Sequence, residues 1–143
     1  MVLAKSILFA GAALLQGALA IDWHSICLEF PPAPGECALI ADYSQAFYET
    51  NDPSATLYDH NCNVVIESKD LDPLSPHFGW YGRAKGQEVY GTLDYVGAKD
   101  IGPWTVKIDG KVAEIANRPT RSVTQGVTVH WYRQANFRGC KAA

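Results

Sequence analysis

Four cysteines decide more about this chain than any other residues. They are Cys27, Cys37, Cys62 and Cys140 of a 143-residue sequence, and none lies in the first twenty positions. An even cysteine count in a small exported chain reads as a disulfide framework of two bridges, for which three pairings are open. Cys27–Cys140 with Cys37–Cys62 is the expected pairing. Its first bridge ties the chain ends together, and long closed loops restrict the unfolded chain most. Metal ligation is not expected: there is no C-x-x-C or H-x-x-x-H spacing, and oxidised cysteines cannot serve as ligands. No cofactor is expected either.

The export reading rests on MVLAKSILFAGAALLQGALA. Lys5 supplies a positive start, residues 6–15 a short apolar run, and Ala18-Leu19-Ala20 the small residues that a signal peptidase reads. A secretory leader over residues 1–20 and a single domain over 21–143 are expected. A spanning helix needs about 20 apolar residues, and Gln16 and Gly17 interrupt this run, so no membrane anchor is expected. The polar tail NFRGCKAA carries no lipid-anchor or retention signal. The expected product is a secreted monomer, working outside its cell or inside a host. No N-glycan is expected, for want of an Asn-x-Ser/Thr sequon.

Charge is unevenly placed. Residues 21–72 hold ten acids and one base, Lys69, whereas residues 73–143 hold five acids and ten bases. Such a division gives either a dipolar surface with a basic binding face or two halves whose charges interleave on packing.

The pattern beyond the leader is mainly that of short strands. PWTVKIDGKVAEI is a hairpin with Trp104, Val106 and Ile108 on one face and Asp109-Gly110 at the turn. RSVTQGVTVHWYR is a second hairpin around Gln125-Gly126, and QEVYGTLDYVG alternates as a strand. LEFPPAPGE reads as a Pro-rich loop, and SKDLDPLSPHFGWYG as a long loop over one edge. CALIADYSQAFYETNDP reads two ways, as a helix over about residues 36–50 or as strand, turn and strand. The expected fold is a small antiparallel β sandwich or barrel-like domain stapled by two disulfides.

Candidate chemistry gathers in GVTVHWYRQANFRGC, residues 126–140. Strand alternation sends Val127, Val129 and Trp131 to the core and leaves His130 and Tyr132 on the wetter face. There His130 is either a general acid–base or a surface histidine. Cleavage of RNA would need a second base and an arginine for the phosphate; His77, or a carboxylate from Glu88, Asp94 or Asp100, and Arg118 or Arg121 are the candidates. Trp80, Tyr81, Arg83, Trp131, Tyr132, Arg133 and Arg138 form either an aromatic and basic platform for glycans or bases, or core aromatics flanked by solvated charges. Asp59-His60-Asn61 reads as a turn.

Two resemblances attach to these residues. Pro76-His77, Arg121, Gly126-Val127, His130 and Phe137 with Cys140 follow the order of the small fungal guanyl-preferring ribonucleases. The second half of the chain resembles that family and the secreted effectors that share its fold. This implies an α+β fold with one helix near 36–50, and catalysis by His130, His77 and Arg121. The Glu-Phe/Trp-Pro motif of that family is absent here, and its Asp-Arg-Val reads TRSV. More of the chain, through FYETNDPSATLYDHNCNVV, WTVKI and VHWYRQANFRGC, is similar to small secreted cysteine-containing proteins of filamentous fungi, some with crystallin-like sheets. That likeness implies a non-enzymatic effector, of virulence type, that binds a host or competitor protein, with glycan or RNA as further ligand classes. The ribonuclease-like hydrolase, or a catalytically dead relative, is the alternative.

Overall fold

The computed structural model describes residues 21–45, 52–74, 76–97 and 100–143. Among the described residues one short helix, α1 (Trp23–Glu29), precedes thirteen strands. They are β1 (Glu36–Gln45), β2 (Ser54–Tyr58), β3 (Val64–Asp70), β4 (Asp72–Leu74), β5 (His77–Ala84), β6 (Gln87–Leu93), β7 (Val96–Gly97), β8 (Asp100–Ile101), β9 (Trp104–Ile108), β10 (Lys111–Val112), β11 (Ile115–Asn117), β12 (Arg121–Gln125) and β13 (Thr128–Arg138). All strand pairs are antiparallel. The first sheet runs β11-β13-β1-β2-β3, with β12 also alongside β13, and the second runs β10-β9-β6-β5-β4. The sandwich expected from the strand pattern is thus present.

The two sheets bury one core. Cys37, Leu39 and Ala41 of β1, Ala55 and Leu57 of β2, and Ala135 and Phe137 of β13 face Trp80, Val89, Leu93, Trp104 and Val106 of the second sheet. Alternate residues of β1, β2, β9 and β13 enter this layer, as the pleat requires. Glycines make room for the two largest rings. A Cβ on Gly91 would lie 2.7 Å from the Trp104 ring, and one on Gly82 would lie 2.6 Å from the Trp80 ring. Both indoles are tied across the sandwich: Trp80 Nε1 donates to the Ala55 carbonyl at 3.0 Å, and Trp104 Nε1 to that of Arg133 at 3.1 Å.

Several expectations need correction. The bridges are Cys27–Cys62 and Cys37–Cys140, not Cys27–Cys140 with Cys37–Cys62. The cause is register. β1 runs antiparallel to β13 with Cys37 opposite Phe137, so the C-terminal cysteine meets the start of β1 rather than the chain end. The helix suggested near 36–50 is not there: Glu36–Gln45 is strand β1, and residues 46–51 lie outside the described ones. The helix is α1, upstream. The segment expected as a long loop carries the end of β3, all of β4 and the start of β5. Pro73 is tolerated because β4 is an edge strand, where a missing N–H costs no interior ladder bond.

Both hairpins sit where the sequence placed them. Asp109 and Gly110 have φ of 48° and 82°, the left-handed pair that a two-residue turn between β9 and β10 demands. Gly126, at φ 62°, opens the turn between β12 and β13.

Candidate functional site

The site is built on the outer face of the first sheet, where α1 lies. Alternation along β1 sends Ala38, Ile40 and Asp42 outward, and along β13 it sends His130, Tyr132, Gln134 and Asn136 to the same side. Ala38, Ile40, Tyr58 and Tyr132 form a second apolar layer with Cys27 and Cys62, and Trp23 and Ile26 of α1 pack on it. The face expected to be the wetter one is therefore roofed by a helix. Val127, expected in the core, is 75% exposed in the hairpin turn.

α1 is seven residues long, too short to persist alone. Asp22 caps its start, accepting from the Ser25 backbone N–H at 3.2 Å and from the Ser25 hydroxyl at 2.7 Å. Those bonds hold the Asp22 carboxyl below the usual carboxylate range. Trp23, Ile26 and Cys27, three and four apart, give it one inward stripe. The far end is gripped by two buried amides, as Gln134 Nε2 and Asn136 Nδ2 both donate to the Phe30 carbonyl, at 2.7 and 3.0 Å.

Beneath Trp23 lies a histidine–carboxylate pair. His130 Nδ1 is 2.9 Å from Asp42 Oδ1, and Nε2 is 3.2 Å from Gln125 Oε1. The Trp23 ring meets the His130 and Tyr132 rings edge-on, at 6.2 and 5.7 Å between centroids. Only 14% of the His130 side chain is exposed. Burial raises the Asp42 carboxyl above its usual range, and the hydrogen bond and charge of His130 offset only part of that. Burial also raises the Tyr58 phenol; a bond with Thr56 pulls it down and the Asp42 charge pushes it up again.

Two adjoining recesses open beside this pair. A shallow groove of about 420 Å³ runs between α1 and the β2–β3 edge, bounded by Trp23, His24, Tyr58, Val64 and Glu67. A smaller pocket of about 60 Å³ shares Trp23, Thr56, Tyr58 and Ser68 with the groove and adds Ile40, Asp42 and Ser54. The Cys27–Cys62 bridge holds helix and β2–β3 turn together at one end, and His24 Nδ1 reaches the Cys62 carbonyl at 2.8 Å.

The other sequence candidates do not gather here. His77 lies in β5 of the second sheet, 3.7 Å from Asp94, with both side chains about half exposed. It alternates with core-facing Phe78 and Trp80, so it faces away from the sandwich on the side opposite His130. Arg121 shares the face of His130 but is paired with Glu29 of α1; its charge lowers the buried Tyr132 phenol, against the larger opposing effect of burial. Trp80 is 1% exposed, a core residue rather than a stacking surface. Trp131 packs on the same core, tilted against Tyr43 at 6.3 Å. Tyr81 is 48% exposed on the outer face of the second sheet, beside Arg83, which pairs with Glu88. Arg133 points inward and donates to the Ile101 carbonyl at 2.7 Å, while Arg138 pairs with Glu36 and Glu114. The aromatic and basic residues are thus divided among the core and two surfaces, and no single platform forms among them.

Among the described residues no group of three or more His, Cys, Asp or Glu side chains could hold a metal ion. Asp59 serves its own turn, accepting from the Asn61 and Asn63 backbone N–H groups at 2.9 Å each. No family model, curated protein or solved structure matches this chain. The site must therefore be read from its own geometry. Trp23 and Asp42 went unremarked in the sequence, yet each left a signal there. Asp22 followed by Trp23, Ile26 and Cys27 is a cap before a helical stripe, and Asp42 interrupts the outward series Ala38, Ile40.

Proposed function

We propose that this is a secreted, non-enzymatic protein that acts by binding a component of a host or competing organism, and that its binding surface is the groove beside α1. The observation that carries the reading is the engagement of His130. Both of its ring nitrogens are within hydrogen-bond distance of protein groups, Asp42 and Gln125, and the ring is roofed by Trp23. A general base must reach substrate with a free nitrogen, and a ribonuclease needs a second base nearby. His77, the second base expected, lies on the other sheet. The groove beside α1 is bounded mostly by rings and hydroxyls, groups that hold a ligand rather than attack one.

Two disulfides suit an oxidising compartment, and among the described residues no helix is long and apolar enough to cross a membrane. The leader-like residues 1–20 supply the export half of the reading. The test is RNA cleavage by the oxidised protein, purified from a secreting host, beside a His130→Ala control with an unchanged fold. No cleavage by either protein is the expected result. Cleavage by the wild type that the control loses would replace binding with hydrolysis.

A further inference from the structure

The small pocket and its surroundings carry a charge argument that names the partner's chemistry. All of the groove's bounding residues come from the part of the chain between Trp23 and Ser68. That is the acid-rich half, with ten acids against the single base Lys69 over residues 21–72. Packing neutralises some of these acids with bases from the other half, as in Glu29 with Arg121 and Glu36 with Arg138. Asp42 and Glu67, which border the recesses, have no lysine or arginine partner within ion-pair distance among the described residues. Asp42 has only the titratable His130.

The pocket is shaped for a small cationic group. Its volume of about 60 Å³ exceeds the 10–15 Å³ or so that one water needs, and so admits an ammonium with its last methylenes. Asp42 supplies a carboxylate, and Ser54, Thr56 and Ser68 supply hydroxyls that can accept from an ammonium. Trp23 and Tyr58 supply ring surface at the mouth, where a desolvated cation gains from the ring quadrupole. An ammonium, compact and carrying three donors, suits this pocket better than a flat guanidinium fork. An anion would meet Asp42 and Glu67 with no cation to balance them. The groove that continues outward past Val64, which is 54% exposed, takes apolar neighbours of the inserted residue.

We propose that the Asp42 pocket binds a lysine side chain of a partner protein, with the flanking apolar residues of that segment lying in the groove beside α1. This rests on the binding reading above and adds the partner's chemistry to it.

The probe is the capped peptide acetyl-Leu-Lys-Leu-amide, titrated into the ¹⁵N-labelled oxidised protein and followed by NMR. The Trp23 indole and Val64 amide signals are expected to shift saturably. The same peptide with Nε-acetyllysine, which keeps the length and removes the charge, is expected to bind about tenfold or more weakly, the usual worth of one charged hydrogen bond. Asp42→Asn, with the rest of its spectrum unchanged, should weaken the lysine peptide to the same degree and leave the acetyllysine peptide unaffected. Equal affinity for the two peptides would overturn the proposal and leave an apolar groove. Absence of any shift at Trp23 and Val64 would overturn it too. The comparison depends on the ligand as well as the variant, so it survives a variant that fails to fold. Its failure is also separable from failure of the binding reading, which only RNA cleavage would overturn.

Discussion

Asp42 is the residue whose environment and chemistry disagree most. It interrupts the outward row Ala38, Ile40 on a face that α1 covers. His130 answers part of the cost, and the carboxyl is still raised because burial outweighs that contact. A raised carboxyl pKa means that the native state holds the proton more tightly than the unfolded chain does. The stability cost of the charged form is then complete above the native pKa and fades as pH falls toward the unfolded value near 3.8. Asn at this position is uncharged and can still accept from His130 Nδ1–H. Asp42→Asn is therefore expected to raise the urea midpoint at pH 7, with the gain fading as pH falls through the native pKa toward the unfolded value. A variant less stable than wild type at pH 7 would mean that the carboxylate–histidine contact outweighs burial. Single residues such as this one were only half legible in the sequence. Alternation placed His130 and Trp131 on opposite faces of a strand, as found. It could not say that a distant helix roofs one of those faces, nor that Trp80 points between the sheets rather than out of them. Those facts depend on contacts between segments far apart in the chain.

The elements divide by how local their causes are. The hairpin at Asp109-Gly110 and the turn at Gly126 are written in two residues each, and both were readable because positive φ has few hosts. β1 was ambiguous because LIADY satisfies helical and strand spacing alike; its place between β13 and β2 decides the matter. α1 was missed because seven residues ending before Pro31-Pro32 leave little periodicity to see. Its stability is tertiary, through the Cys27–Cys62 bridge, the Phe30 carbonyl grip and the Trp23 contacts. Replacing both Cys27 and Cys62 with alanine should therefore act locally. The bridge closes a sequence separation of 35 residues, which chain entropy values at up to about 4 kcal/mol. Part of that loss appears as undocking of α1. Hydrogen exchange should show the α1 and β2–β3 turn amides losing protection while those of β6 and β9 keep it. Near-UV circular dichroism should lose the Trp23 contribution, and lysine-peptide binding should vanish with the groove. Uniform loss of protection in both sheets would show instead that α1 is part of the folding core.

In the whole molecule the C-terminal strand is the organiser. β13 pairs with β1 over ten residues and takes β11 and β12 in turn along its other edge. The tail beyond it is fastened to the second sheet, since Gln87 Nε2 donates to the Gly139 carbonyl at 2.9 Å and its Oε1 accepts from the Lys141 N–H at 2.7 Å. Asn117 bridges the sheets in the same way, accepting from the Trp104 N–H and donating to the Trp104 carbonyl. The Cys37–Cys140 bridge closes this arrangement across a sequence separation of 103 residues. A loop of that length is worth about 4–5 kcal/mol in the chain-entropy picture, against a net stability of about 5–15 kcal/mol for a typical domain. Replacing Cys37 and Cys140 together with alanine should therefore lower the urea midpoint steeply. Unlike loss of the α1 bridge, it should reduce exchange protection in both sheets at once, because β1 and β13 are paired in the first sheet and pack on the core of the second. A midpoint close to wild type would mean that the Gln87 and Asn117 bonds already fix the two chain ends without the bridge. Protection lost only along β13 would place the second sheet outside the cooperative unit.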